Sequence, residues 1–245
     1  MMDLFCKDDY VRIFPMFVSA IIPAAGSGIR MGGKVQKQFL ELADKPILAH
    51  TLLRFQKTDL INNIYLVAPK DALEYCKTDI VKKYKITKVV EVIEGGKERQ
   101  DSVYNGLVRI EPKTDIIVVH DGVRPFITEE IIKESIAEAD KHGAVIVAIP
   151  EKDTVKEVSD GLIVNTLNRK LLWRTQTPQV FKRDVLEKAF KKAIDDKYYG
   201  TDESSLVERI GFPVRVVKGS DFNIKITTSE ELILGNAILN YHYVK

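Results

Sequence analysis

Hydrophobic positions along the chain fall into short solid runs separated by stretches with a helical period. The runs at residues 17–25, 61–68, 88–93, 115–120 and 144–149 are dominated by Val, Ile and Ala. Such runs are typical of strands whose parallel sheet is covered by helices on both faces. Between them, residues 46–56, 72–84, 101–110 and 129–142 repeat apolar side chains with the period of one buried helix face. Asp71 with Glu74, and Thr128 before Glu129 and Glu130, supply caps for two of these helices. The alternation predicts an α/β fold: a Rossmann-like, doubly wound, mostly parallel sheet with ligands at the carboxyl ends of its strands.

After Pro150 the rhythm breaks. Residues 154–158 and 162–168 read as two strands around Ser159-Asp160-Gly161, a hairpin too polar for the sheet centre. It is expected to project as an arm, within about residues 151–176, and to reach a second subunit. Helices are predicted again at 182–197 and 204–210, strands at 214–217 and 223–227, and a last helix from Ser229. No linker, repeat or low-complexity segment interrupts the chain. Residues 17–245 therefore read as a single domain plus its arm, after an extension over residues 1–16.

Composition removes several classes. Thirty-seven Lys and Arg against 35 Asp and Glu leave a net charge of +2, so no global basic field speaks for nucleic acid. No apolar run approaches the roughly 18 residues of a membrane span. Two cysteines, Cys6 and Cys76, lack metal-ligand spacing and point to a reduced, cytoplasmic setting rather than a disulfide framework. Affinity for phosphate must then be local.

The sequence offers it after the first strand, where Pro23-Ala24-Ala25-Gly26-Ser27-Gly28-Ile29-Arg30 leads to Lys37-Gln38-Phe39. Glycines let backbone N–H groups approach a polyanion closely, and Arg30 and Lys37 add full charges for the same phosphates. The loop lacks the Gly-Lys-Ser/Thr ending of a Walker loop. Its third glycine comes one residue late for a dinucleotide fingerprint, and strand 61–68 ends in Pro69 rather than an acid. A nucleotidyltransferase loop gives both cations a role; a bare nucleotide-binding domain leaves them idle.

Further chemistry lies at other strand ends. Asp121, in His120-Asp121-Gly122-Val123-Arg124, closes a Val/Ile strand, where a carboxylate can hold Mg²⁺ against a triphosphate. Its bland alternative is a turn cap paired with Arg124, and His120 reads as structural. Gly95-Gly96 opens a helix whose free N–H groups, with the Ser102 hydroxyl, suit a base or ribose. Lys225 is predicted to share a strand face with Asn223 and Thr227. Thr201-Asp202-Glu203 reads as a helix start and no more.

Taken in order from Val18 to Leu234, the segments PAAGSGIRMG with KQF, GGKERQDSV, HDGVRPF, KDTVK, RTQTPQVF, TDESSLVE and NIKITTSEEL resemble the 2-C-methyl-D-erythritol 4-phosphate cytidylyltransferase family. The resemblance implies a homodimeric nucleotidyltransferase with CTP as donor, methylerythritol phosphate as acceptor and Mg²⁺ as cofactor, bound by Asp121. It gives transition-state stabilisation to Arg30 and Lys37, and acceptor alignment to Arg169 and Lys225. Arg124, Thr154 and Thr177 join the acceptor site, with Thr154 and Arg169 arriving on the arm. Ala24, Ala25, Gly26, Ser27, Gly28, Gly96 and Ser102, together with Asp121, hold the nucleotide. One departure stands out: HDGVRPF differs from the family's commonest HDAARP. Ribitol-5-phosphate cytidylyltransferases carry a valine there, although they usually begin Leu-Ala-Gly-Gly, so a polyol phosphate is the alternative acceptor.

Overall fold

A computed structural model describes residues 16–26 and 36–243, with side chains to residue 241. Residues 1–15 of the expected extension lie outside these described residues, as do Ser27, Gly28 and Arg30. The chain opens with β1 (Val18–Pro23). A 3-10 turn at Lys37–Phe39 and a minimal hairpin, β2 (Glu41–Leu42) and β3 (Lys45–Pro46), then lead into α1 (Ile47–Lys57). Next come β4 (Asn63–Ala68), α2 (Leu73–Tyr75) with a π-helical continuation Cys76–Lys82, and β5 (Val89–Glu94). They are followed by α3 (Arg99–Leu107), β6 (Ile116–Val119), α4 (Glu129–His142) and β7 (Ala144–Pro150). The last third holds β8 (Lys156–Ser159), β9 (Leu162–Thr166), β10 (Trp173–Lys182), α5 (Arg183–Asp195), α6 (Glu203–Arg209), β11 (Arg215–Lys218) and α7 (Ser229–Tyr243).

Among the described residues, seven strands form one sheet in the order β11-β7-β10-β6-β1-β4-β5. β1 is an interior strand and runs parallel to both β4 and β6. Alternation along the strands splits the core into two layers. Val18, Ala20 and Ile22 pack with Leu48, Leu52 and Phe55 of α1 and with Ile132 and Ile136 of α4. Ile21, Val67 and Val119 face Val103 and Leu107 of α3 and Leu186 and Phe190 of α5. From β1 the chain winds one way to β4 and β5, and later the other way through β6. The crevice between the carboxyl ends of β1 and β6 is thus the ligand position of a doubly wound sheet.

Three features differ from the sequence expectation. β10 is absent from it, yet this strand lies antiparallel between β6 and β7 near the sheet centre. Its polar start and Pro178 argue against a central strand. The ladder accommodates them by a register shift between Thr175 and Gln179. Residues 223–227, expected as a strand, are irregular. Their backbone bonds to the rest of the site instead of to a ladder: the Ile226 N–H meets the Val123 carbonyl at 2.9 Å, and a small cluster of Ile226, Val123, Phe126, Ile238 and Leu239 anchors the segment under α7. The helix expected over 72–84 is π-helical through Cys76–Lys82.

β8 and β9 pair antiparallel, apart from the main sheet, and every residue of both strands is exposed. Leu162 and Leu171 remain 72% and 77% exposed.

Candidate active site

The edge of the sheet above β1, β5 and β6 is built by close approach of backbones. Gly95 donates its N–H to the Ala68 carbonyl at 2.9 Å, and a Cβ there would lie 2.2 Å from the Ala25 Cβ. At Gly96 a Cβ would fall 2.2 Å from the Asp101 Cβ. Only glycine lets the turn before α3 press this tightly on its neighbours. Glu98 and Asp101 close a capping box at the start of α3. Ser102 is buried, donating to the Glu98 carbonyl and accepting from the Gly96 N–H, both at 3.1 Å. Its proton therefore goes to the first turn of the helix, and the hydroxyl shapes the Gly96 turn. Opposite, Gln38 donates to the Gly26 carbonyl at 3.3 Å. That docks the 3-10 turn on the loop after β1 and puts the Lys37 Cε 3.9 Å from where a Gly26 Cβ would stand.

Asp121 is the electrostatic centre. Arg99 Nε donates to its Oδ1 at 3.0 Å, Lys225 Nζ to its Oδ2 at 2.8 Å, and Arg124 Nε lies 3.7 Å from Oδ2. Burial by itself would push the carboxyl up; Arg99, then Lys225 and Arg124, outweigh it and hold Asp121 far below the ordinary carboxylate range. Arg99 reaches a second carboxylate as well, with Nη1 at 2.7 and 3.0 Å from the two oxygens of Glu203. Burial pushes the Glu203 carboxyl above its ordinary pKa, against the pull of Arg99.

A neutral scaffold fixes this loop. The Asp121 N–H donates to Thr177 Oγ1 at 3.1 Å, and Thr177 Oγ1 lies 3.0 Å from His120 Nδ1. His120 Nε2 is 3.0 Å from the Arg124 carbonyl, an acceptor only, so the ring carries its proton on Nε2 and Thr177 donates to Nδ1. Asn223 ties in the third segment: its side-chain amide donates to the Thr177 carbonyl, and its own carbonyl accepts from Arg124, both at 2.8 Å. The Thr177–Pro178 bond within this scaffold is cis.

Burial pushes His120 down to about 4 from 6.5. Between those values the unfolded chain binds a proton that the folded chain refuses, so stability is complete above pH 6.5 and falls toward pH 4. The loss from this residue is about 3 kcal/mol. His120→Gln is expected to flatten that part of the curve, read from thermal unfolding across the window. An unchanged slope would show that the imidazole is not held neutral.

The structure thus brings together Asp121, Arg124, Thr177 and Lys225, with Ala25, Gly26, Lys37, Gly96 and Ser102 along the same edge. Ala24 enters the loop by donating its N–H to the Val67 carbonyl at 2.7 Å. Arg169 does not join the cluster: it follows the hairpin and donates to the Lys152 carbonyl at 2.8 Å. Thr154 is exposed before β8. Arg99 is not among the residues the sequence singles out, and Glu203 reads there only as part of a helix start, whereas the fold turns it inward onto Arg99. Both stand inside the motifs GGKERQDSV and TDESSLVE, but an ion pair between helix starts 104 residues apart leaves no local pattern.

Comparison with known proteins identifies the family. The sequence profile of the family described as 2-C-methyl-D-erythritol 4-phosphate cytidylyltransferase matches residues 18–241. A protein of that name from Syntrophus aciditrophicus is 52% identical over 223 residues, 91% of this chain and 95% of its own. One from Alkaliphilus metalliredigens is 50% identical, covering 91% and 93%. Among solved structures, the 4-diphosphocytidyl-2C-methyl-D-erythritol synthase of Anaerococcus prevotii superposes with a TM-score of 0.81 at 35% identity, covering 93% of this chain and all (100%) of that one. The matched stretch carries the described loops around Asp121, and the chain belongs to the 2-C-methyl-D-erythritol 4-phosphate cytidylyltransferase family.

Proposed function

We propose that the site transfers a cytidylyl group from CTP to 2-C-methyl-D-erythritol 4-phosphate and releases pyrophosphate. One observation carries the reading: Lys225, Arg124 and Arg99 gather on Asp121 at the sheet edge that also holds Gly26 and Lys37. An acceptor phosphate oxygen attacks the α-phosphorus in line. The new O–P bond forms as the bond to the β-phosphate oxygen breaks, and pyrophosphate leaves with the electron pair. A phosphate monoester is already largely anionic at neutral pH, so no covalent enzyme intermediate is required. Catalysis is placement together with charge stabilisation.

Lys37 neutralises the triphosphate, helped by Arg30 as the resemblance assigns it. Lys225 and Arg124 hold the acceptor phosphate. Among the described residues no cluster of three or more His, Cys, Asp or Glu forms a metal cage. Mg²⁺ arriving on a triphosphate needs only one or two carboxylates. Asp121 can serve as one of them, because Arg99 and Lys225 each take one lone-pair site and others are left. Bound there, the ion would offset phosphate charge.

We also infer a homodimer in which the hairpin delivers Arg169 and Thr154 to the partner's site. Support comes from Val158, Leu162, Ile163, Val164 and Leu171, all apolar and exposed on or beside the arm. Arg169→Ala is expected to lower kcat/KM for the acceptor about 10²-fold, the order seen for lost positioning. Mixing it with Lys225→Ala subunits should restore part of the activity, because one site of each mixed dimer is then whole. Unchanged acceptor kinetics in Arg169→Ala would remove that assignment. The cytoplasmic reading has support from Cys76, which is buried and unpaired.

Pyrophosphate release from CTP, assayed with methylerythritol phosphate beside ribitol 5-phosphate, tests the function. Turnover is expected with the former; preference for the latter would replace the acceptor.

A further inference from the structure

Resting on that reading, we propose that Arg99 and Glu203 are positioning residues that orient Asp121 so that one oxygen is reserved for the acceptor-binding cations. The geometry divides the carboxylate. Arg99 takes Oδ1, while Lys225 and Arg124 lie on the Oδ2 side. A carboxylate held by one cation alone can rotate about χ2 and exchange its oxygens. A guanidinium fixed at its other end prevents this.

Glu203 supplies the fixed end. Its side chain is 1% exposed and accepts both bonds from one Arg99 nitrogen, at 2.7 and 3.0 Å. The helix that bears it is itself clamped. Asp202 caps α6 by accepting the Ser205 N–H at 2.9 Å. Gln179 of β10 donates to Asp202 at 2.8 Å and accepts the Ser204 N–H at 3.0 Å. Force is thus relayed from the sheet through α6 to Arg99 and on to Asp121. A planar guanidinium has the spread to bridge two carboxylates, which a lysine ammonium lacks.

Charge supports the same role. Three cations around Asp121 alone would carry a net +2; Glu203 brings the group to +1. Without Glu203, Arg99 would draw more tightly on Asp121 and compete with Lys225 for it. The acceptor phosphate would then meet Lys225 and Arg124 out of place, a fault in positioning and not in nucleotide binding.

The test measures steady-state kinetics in both substrates for the wild type, Glu203→Gln, Arg99→Lys and the double variant Arg99→Met with Glu203→Met. Acceptor kcat/KM is expected to fall at least about tenfold in Glu203→Gln and Arg99→Lys, toward the 10²-fold of a misplaced group, with CTP KM in Glu203→Gln held. The double variant guards against a trivial folding defect, because an apolar pair can replace a buried ion pair without loss of stability. Its melting temperature should recover while its acceptor kcat/KM does not. Wild-type acceptor kinetics in folded Glu203→Gln, or in the double variant, would reduce the pair to a structural strut and overturn the proposal. Failure of the wild type itself to release pyrophosphate would instead overturn the function reading, and this inference with it.

Discussion

Asp121→Asn is expected to abolish most activity and to destabilise the fold by about 3 kcal/mol. The cause is electrostatic. Asparagine keeps the shape but leaves Arg99, Arg124 and Lys225 facing one another without the anion they share. Removing one member of a buried charged group costs about 3–5 kcal/mol. The lower end applies because the Lys225 side chain is 38% exposed and partly screened by water. The same ion pairs make stability depend on pH. The folded pKa of Asp121 lies below its unfolded value of 3.8, so its stabilisation is present above that value and is lost as pH falls below it. Chemical denaturation at neutral pH and at acid pH separates the two proteins. The variant should be weaker at neutrality and lose less on acidification. Equal stability at neutral pH would show that the cations do not depend on Asp121.

Lys37→Ala is expected to lower kcat by about 10²–10³ while leaving the melting temperature near that of the wild type. The side chain is half-buried beside Gly26, on a three-residue turn that is held to the loop after β1 through Gln38. Its loss should therefore remove charge from the reaction more than packing from the fold. Pre-steady-state pyrophosphate release reads the chemical step directly. A variant that is slow only because CTP binds weakly would recover at saturating CTP, and that recovery would assign Lys37 to binding alone.

Much of the fold is legible because burial writes itself into the sequence as a period. α4 begins and ends where its cap, Thr128, and its terminal Gly143 put it. The parallel strands show in their Val/Ile runs, within a residue or two at most ends. β10 is hidden because its first half, residues 173–177, is mostly polar and because Pro178 masks a strand whose ladder shifts register there. Site residues divide the same way. Asp121 is visible as an acid ending an apolar strand, and Gly95 and Gly96 as a turn. The Arg99–Glu203 pair is not, since Asp202 does cap α6 as the local pattern says while Glu203 turns inward to a partner that only the fold supplies. Lys225 stands out in the sequence for a reason the structure does not share: it reaches Asp121 from an irregular segment pinned by Ile226 and Asn223, not from a strand face.

The proposed mechanism requires separate cations to converge on two negatively charged reactants. A crystal structure of the enzyme with a nonhydrolysable CTP analogue and methylerythritol phosphate measures this directly. The expected result places the acceptor phosphate in salt-bridge contact with Lys225 and Arg124 while the triphosphate lies on Lys37. An acceptor phosphate bound elsewhere, with Lys225 and Arg124 making no contact to it, would contradict the account.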